Sequence, residues 1–334
     1  MNIKDIARIA GVGVSTVSRV INNHPDVSQK TRDRIKQVIN ENNYIPNNSA
    51  RILKQNNTKN VGILVKGVYN PFFAEILKSM SSSIQKSGYT MILHYHENES
   101  DIDTLIGFAK EKRLQGVICL GGNFLDLTDE VLEELETVVV LVSVDAVTQK
   151  NLRMCSSVSI NNKEAAYIAT EHLIKLGHRN VALMLGANDD VGIGKQRYEG
   201  YLKALSDYEI PFKKEYVVYG SYECESAYTQ ADILINRYSE ITAIFAISDM
   251  MAMGVAKAIT DNDREIGKQI SIMGFDGMVF AYYYEPSIAT IRQPKQLLAK
   301  KGVELLLDLL EGAENHKHLF LDVELMTGDS CQSV

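Results

Sequence analysis

The sequence predicts an α/β protein in three parts: a small all-helical head, a polar linker, and a body of two successive doubly wound modules. Three observations carry this reading. Residues 3–39 place their apolar side chains at helical spacing, residues 47–59 are polar, and from Asn60 onward short β-branched runs alternate with longer amphipathic stretches. At 334 residues the chain exceeds one typical domain, and an apolar fraction of 45% is ample for real cores.

In the head, Ile3, Ile6, Ala7 and Ala10 share one helical face, Gly11-Val12-Gly13 interrupts it, and Val17, Val20 and Ile21 resume it. This is the pattern of a helix-turn-helix. Ser28 is placed to cap a third helix that carries Ile35, Val38 and Ile39, and Asn42-Asn43-Tyr44-Ile45-Pro46 ends it. The polar side of the second helix holds Val14, Ser15, Thr16, Ser18, Arg19 and Asn22: small or hydrogen-bonding groups with one fork of donors. Such a helix approaches a phosphate backbone closely and still reaches a base edge. A small amphipathic hairpin of no special function shows the same periodicity, and charge separates the two. Residues 1–60 hold ten Lys/Arg against four acids, a balance of +6, whereas the remainder holds 25 against 38, a balance of −13. A basic head on an acidic body is the asymmetry expected when only the head meets phosphates.

The linker NNSARILKQNNTK allows one compact helix, Ser49 to Gln55, too short to persist alone because nucleation is costly. In the body, strands are expected at 61–65, 90–95, 116–120 and 138–144, separated by helices at 71–87, 101–112 and 128–135. The alternation restarts with strands at 156–161, 181–185, 216–220, 243–247 and 271–275, separated by helices at 163–176, 195–208, 225–237 and 249–262. Strict alternation means parallel sheets covered on both faces, and two such modules leave a cleft between loops at strand C-termini. A helix at 297–310 and a strand FLDVEL at 320–325 follow.

Several chemistries lack their residues. Cys119, Cys155, Cys224 and Cys331 are scattered, which fits neither a disulfide framework nor a zinc knuckle. Gly194-Lys195 resembles the end of a phosphate-binding loop, but position 189 is Asp and position 196 is Gln; Gly121-Gly122 lacks the spacing of a dinucleotide site. His94 with His96, and His316 with His318, have no third ligand at metal spacing and are expected to be solvated. The reading is therefore no enzyme, no cofactor and no metal. No run approaches the about 18 apolar residues of a membrane span, and a charged helix opens the chain, so a soluble cytoplasmic protein is expected.

The chain resembles the LacI/GalR (lactose/galactose repressor) family of bacterial transcriptional regulators. The motifs run nearly end to end: AGVGVSTVSRVIN at 10–22, VSQKTRDRI at 27–35, YIPNNSARILK at 44–54, NPFFAEI at 70–76, EHLIKLGHRNVALM at 171–184, RYEGY at 197–201, SDMMAMG at 248–254, MGFDG at 273–277 and TIRQP at 290–294. The resemblance implies a helix-turn-helix head at 1–46, a hinge helix at 47–59 and a two-subdomain, type I periplasmic-binding-protein-like body. One subdomain would hold about 60–160 with 292–320, the other about 161–290 with 321–334. It assigns base reading to Val14, Ser15 and Arg19, backbone contacts to Thr16, Ser18, Asn22, Tyr44 and Asn47, and minor-groove insertion to Ala50, Leu53 and Lys54.

A small effector, sugar-like by this resemblance, would meet Phe72, Phe73, Asp145, Arg197, Tyr222, Ser248, Asp249 and Asp276 in the cleft. Asp249 and Asp276 are equally suited to capping helices, and Phe72 to packing. The implied function is that of a homodimeric repressor on a palindromic operator, under allosteric control. A purine-responsive regulator of the same fold is one alternative; a solute-binding protein fits residues 60–334 alone but leaves the basic head unused. Gly13 stands where the family has a hydroxyl that caps the second helix, Gly267 replaces a common proline, Gly277 replaces a frequent second acid, and Thr327-Gly328-Asp329 lacks the usual basic residue.

Overall fold

The computed structural model describes residues 1–21, 24–42, 44, 59–67, 70–97, 100–144, 152–188 and 190–334. The hinge expectation (Ala50, Leu53 and Lys54), together with Asn22, Asn47 and Asp145, lies outside them. The chain divides into two compact units, residues 1–58 and 59–334.

The head consists of α1 (Ile3–Ala10), α2 (Val14–Ile21) and α3 (Gln29–Glu41). Asn2 and Asp5 form a reciprocal capping box at the start of α1, and Gly11, at φ 63°, ends it in the left-handed conformation that glycine adopts without strain. Ser28 caps α3 by accepting the Thr31 N–H. At α2 the missing side-chain cap is met by backbone alone: the Gly13 carbonyl accepts the N–H groups of Thr16 and Val17 at 3.0 and 3.2 Å. Ile6, Ala7, Ala10, Val17, Val20, Val27, Ile35 and Val38 form the core of this unit. So small an apolar set stabilises three helices only modestly.

The larger unit is built on two six-stranded sheets. The first has order β11-β5-β4-β3-β1-β2, from β1 (Asn60–Lys66), β2 (Thr90–His96), β3 (Gly116–Leu120), β4 (Val138–Val142), β5 (Cys155–Ile160) and β11 (His318–Leu321), paired in parallel throughout. The second has order β12-β10-β9-β8-β6-β7, from β6 (Val181–Leu185), β7 (Val217–Tyr219), β8 (Ala243–Ala246), β9 (Ser271–Asp276), β10 (Ala289–Arg292) and β12 (Glu324–Met326), with only the β10–β12 pair antiparallel. Strands β3, β5, β6, β8 and β9 are buried at every position, as two-sided covering by helices demands.

The covering helices are α4 (Pro71–Lys86), α5 (Asp101–Lys112) and α6 (Asp129–Leu135) on the first sheet, and α7 (Asn162–Lys175), α8 (Ile193–Asp207), α9 (Cys224–Arg237) and α10 (Asp249–Asp261) on the second. A short α11 (Val279–Tyr283) follows β9, and α12 (Lys295–Leu310), although it follows a strand of the second sheet, packs on α4 and on β3, β4 and β5 of the first. The chain thus crosses between the sheets three times, after β5, after β10 and after β11.

The FLDVEL segment differs from its expectation. It is two strands, β11 and β12, in different sheets, because the third crossing passes through Asp322-Val323. The histidine pairs also differ. The His94 ring stacks on Phe108 with centroids 5.1 Å apart, and His96 is buried 3.4 Å from Asp101 at the end of β2. Parallel pairing of β11 with β5 brings His316 and His318 to the hydroxyls of Ser156 and Ser157, at 3.3 and 2.9 Å. These rings are engaged by the sheets rather than solvated. No helix of the described residues is long and apolar enough to cross a membrane.

Candidate ligand site

The C-terminal ends of the second sheet's strands, where loops free of sheet pairing converge, hold most of the polar residues singled out in the sequence. Arg197 projects from α8, the helix after β6, and is only 4% exposed. Its Nε donates to Asn162 Oδ1 at 3.0 Å, its Nη1 donates to the Ile247 carbonyl, and the guanidinium lies 3.6 Å from the centroid of the Phe275 ring. Burial pushes its pKa down, while the nearby Asp276 carboxylate opposes that shift; a guanidinium stays charged regardless. The arrangement fixes the plane of the donor fork with two hydrogen bonds and one stacked ring, which is how a cation is held ready for an oxygen ligand.

Asp276 ends β9 at φ 112°, a strained conformation for a residue with a side chain and one held by its surroundings. Gln293 Nε2 donates to its Oδ1 at 2.8 Å. Gly277 follows at φ 65°, where a Cβ would lie 2.6 Å from Arg292 Cα, so this turn has no room for the acid frequent in the family. Asp249, fully buried at the start of α10, accepts the Met278 N–H at 2.7 Å and the Thr290 hydroxyl at 2.7 Å. Ser248 caps the same helix by accepting the Met251 N–H at 3.2 Å. Asp249 and Ser248 thus hold the fold's own backbone at the rim of the site.

Burial pushes both carboxyls above the ordinary carboxylate range, and for Asp249 the neighbouring Asp276 adds to the rise. A raised folded-state value means that the folded protein binds more protons than the unfolded chain, so these groups cost stability as pH rises from about 4 toward neutrality. Asn at position 249 keeps an acceptor for the Met278 N–H and meets the Thr290 hydroxyl oxygen with a donor, without the charge. D249N is therefore expected to flatten the fall of the unfolding free energy between acid and neutral pH, by about 1.4 kcal/mol for each pKa unit that the native carboxyl is raised, as read by urea unfolding at a series of pH values. A steeper fall than in wild type would show that the carboxylate is stabilising.

Tyr222, at φ 56° after β7, stacks over Gly186, where a Cβ would sit 1.9 Å from its ring. Its hydroxyl donates to Asp190 Oδ2 at 2.6 Å. Asp190 also accepts the N–H groups of Gly192 and Gly194, at 3.0 and 3.1 Å, so its carboxylate fills the anion-binding start of α8. The loop ending in Gly194-Lys195 therefore presents its amides to the chain's own acid. Asp190, Asn162, Phe275 and Gln293 are site residues that sequence reasoning missed. Only Asp190 left a local signal, its two- and four-residue spacing to the glycines.

On the first subdomain, Phe72 is buried in the core and Phe73, half-buried, lies with its ring against Gly121, with the two ring centroids 5.4 Å apart. Asn70 caps their helix through the Phe72 N–H at 3.0 Å. In the head, Val14, Ser15 and Arg19 are exposed on α2, Thr16 and Ser18 are half-buried beside them, and Tyr44 packs against the core. Arg19 is loosely paired with Asp26 at 3.8 Å, both side chains about half exposed, which leaves its fork available.

Residues 2–47 match the model of bacterial regulatory proteins of the lacI family, and residues 170–331 match a periplasmic binding protein-like domain. The HTH-type transcriptional regulator MalR of Clostridium butyricum is 50% identical over 100% of both chains. The chain belongs to the lacI family. This regulator is also 32% identical to the HTH-type transcriptional repressor PurR of Vibrio atlanticus, over 95% of this chain and 94% of that one. Among solved structures, the lac repressor dimer bound to operator and the anti-inducer ONPF superposes with a TM-score of 0.77 at 26% identity, covering 100% of this chain and 99% of that one. The complex of the transcriptional regulator CelR with cellobiose gives 0.73 at 27% identity, covering 99% of each. The lacI-family regulator therefore carries a helix-turn-helix unit and a two-sheet binding-protein-like body.

Proposed function

We propose that this transcriptional regulator is a repressor that binds a pseudo-palindromic operator as a homodimer and answers to a neutral sugar in the cleft of its body. The observation that carries the reading is the buried Arg197 guanidinium and Asp276 carboxyl, gathered with Tyr222 and Asp190 at one end of the second sheet and joined in one chain to a basic helix-turn-helix head. Carboxylates accept from sugar hydroxyls, the guanidinium fork donates to them, and aromatic rings cover the apolar faces of a pyranose. The carboxylates of Asp190 and Asp276 offset the Arg197 guanidinium, and Asp249, raised by burial, adds little charge at neutral pH, so the site has no surplus of positive charge for a phosphate and suits a hydroxyl-rich neutral ligand. The cellobiose bound by CelR supports the same class. Asp145 would complete the site from the first subdomain, with Phe72 and Phe73 as its apolar wall.

In the DNA-bound state Val14, Ser15 and Arg19 read bases, Thr16, Ser18, Asn22, Tyr44 and Asn47 hold phosphates and sugars, and Ala50, Leu53 and Lys54 enter the minor groove. Ligand closure of the cleft alters the hinge and with it operator affinity, a coupling of about 1–3 kcal/mol that must be reciprocal. Gel retardation tests the reading. The full chain is expected to retard a palindromic duplex and a fragment starting at Asn60 is not, and a panel of maltose, cellobiose, lactose and ribose is expected to contain a sugar that shifts the midpoint. Equal retardation by both chains, or a duplex midpoint indifferent to every sugar but moved by purines, sinks it.

Arg19 supplies a sharper check. Its fork matches guanine O6 and N7, so R19A is expected to cost about 1–3 kcal/mol on the preferred operator and to relax preference at one base position. Anisotropy titrations against single-base operator variants read both effects, and an unchanged preference at every position removes Arg19 from the readers.

A further inference from the structure

The three residues Asp276-Gly277-Met278 touch both subdomains. Asp276 stands in the ligand site of the second. The Gly277 carbonyl accepts from Lys295 Nζ at 2.7 Å, and the same ammonium reaches Glu75 Oε1 at 3.1 Å on α4 of the first. The Lys295 side chain is 7% exposed, whereas that of Glu75 is 38% exposed. The Met278 N–H is held by Asp249, but its side chain, 3% exposed, lies in the first subdomain's core with Phe72, Ile76 and Leu298. Backbone of the ligand site and packing of the opposite subdomain are thus consecutive along the chain.

A buried ammonium costs more to maintain than an apolar side chain of the same volume, so its presence calls for a reason beyond filling space. Here its two acceptors belong to different subdomains. The segment is also strained at Asp276, whose φ of 112° is held by the contacts that Gln293, Asp249 and Lys295 make with it and with the two residues that follow, rather than by local preference. A change at the Asp276 carboxylate that turns the Gly277 peptide moves the carbonyl that Lys295 holds. It also moves the main chain from which Met278 enters the core that holds Phe72.

We propose that residues 276–278, with Lys295 and Glu75 as positioning residues, form a clasp that transmits events at the Asp276 carboxylate to α4 of the first subdomain. Its regulatory meaning rests on the reading of Asp276 as a ligand contact, but its test needs no ligand. Amide hydrogen exchange on the full-length chain compares D276N with wild type. Exchange in residues 71–80 is expected to change about fivefold or more, and the same substitution in a K295M background is expected to change it less than about twofold. K295R, which keeps a cation within reach of both acceptors, restores the response. E75Q weakens the bridge from its more exposed end and is expected to blunt the response likewise, which keeps the test decisive if K295M folds poorly. An equal response with and without Lys295, a full response in E75Q, or no response of residues 71–80 to D276N overturns the clasp. Absence of sugar binding with the exchange response intact would overturn the proposed effector and leave the clasp standing.

Discussion

R197A is expected to lower the melting temperature of the body by about 10 °C, alongside the loss of any ligand response. The side chain is 4% exposed and its fork is already engaged by Asn162 Oδ1 and the Ile247 carbonyl. Truncation leaves both acceptors without this donor in the interior, uncovers the Phe275 ring and removes a positive charge that favours the ionised form of Asp276. Each buried acceptor left without its donor typically costs about 1–3 kcal/mol, and each kcal/mol shifts the melting temperature of a unit of this size by about 2–4 °C. R197K keeps the charge but neither the fork nor the stacking plane, and is expected to fall between the two. Thermal and urea unfolding of the full chain read the effect. An R197A chain melting within about 2 °C of wild type would show that the guanidinium contributes little to the fold and serves the ligand alone.

The head and most of the body were legible in the sequence because burial there follows a period. Ile6, Ala7, Ala10, Val17, Val20, Ile35 and Val38 are the head's core and also its helical stripe. The body's strands appear as unbroken β-branched runs since parallel strands are buried on both faces. What escaped is what period does not encode. The α11 helix, with Val279, Tyr282 and Tyr283 exposed, has no apolar stripe, and β10 is four residues long. The β11–β12 division depends on which sheet each half joins, a choice that hydropathy alone does not make. In the site, Arg197 and Asp276 stood out through the family motifs, whereas Asn162, Phe275 and Gln293 matter only because the topology brings them to those two. Arg197 and Asn162 are 35 positions apart and share no local signature.

The glycine of the RYEGY motif shows how such a motif serves packing as well as ligand. A Cβ built on Gly200 would lie 2.1 Å from the Lys163 carbonyl oxygen, 2.9 Å from Ala166 Cβ and 2.9 Å from Tyr167 N, all on α7. Backbone atoms do not rotate aside, so a methyl group here must push α8 away from α7. The same device recurs where Gly254 of SDMMAMG on α10 meets the Cys224 carbonyl of α9, at 2.2 Å. Replacing a mid-helix glycine by alanine ordinarily stabilises by about 0.5–1 kcal/mol. G107A, in α5 with nothing within 4 Å of the added carbon, is expected to show that gain. G200A is expected to do the opposite and destabilise by about 1–3 kcal/mol, the usual cost of overpacking. Its consequence reaches the site, because Arg197 lies one turn before Gly200 on α8 while Asn162, which orients the guanidinium, starts α7. Separation of the helices stretches that hydrogen bond, so G200A is expected to weaken ligand binding although it touches no ligand. Urea unfolding of both variants provides the comparison: a G200A chain as stable as G107A would mean that the two helices part without cost, and the helix crossing would then not be what sets the position of Arg197.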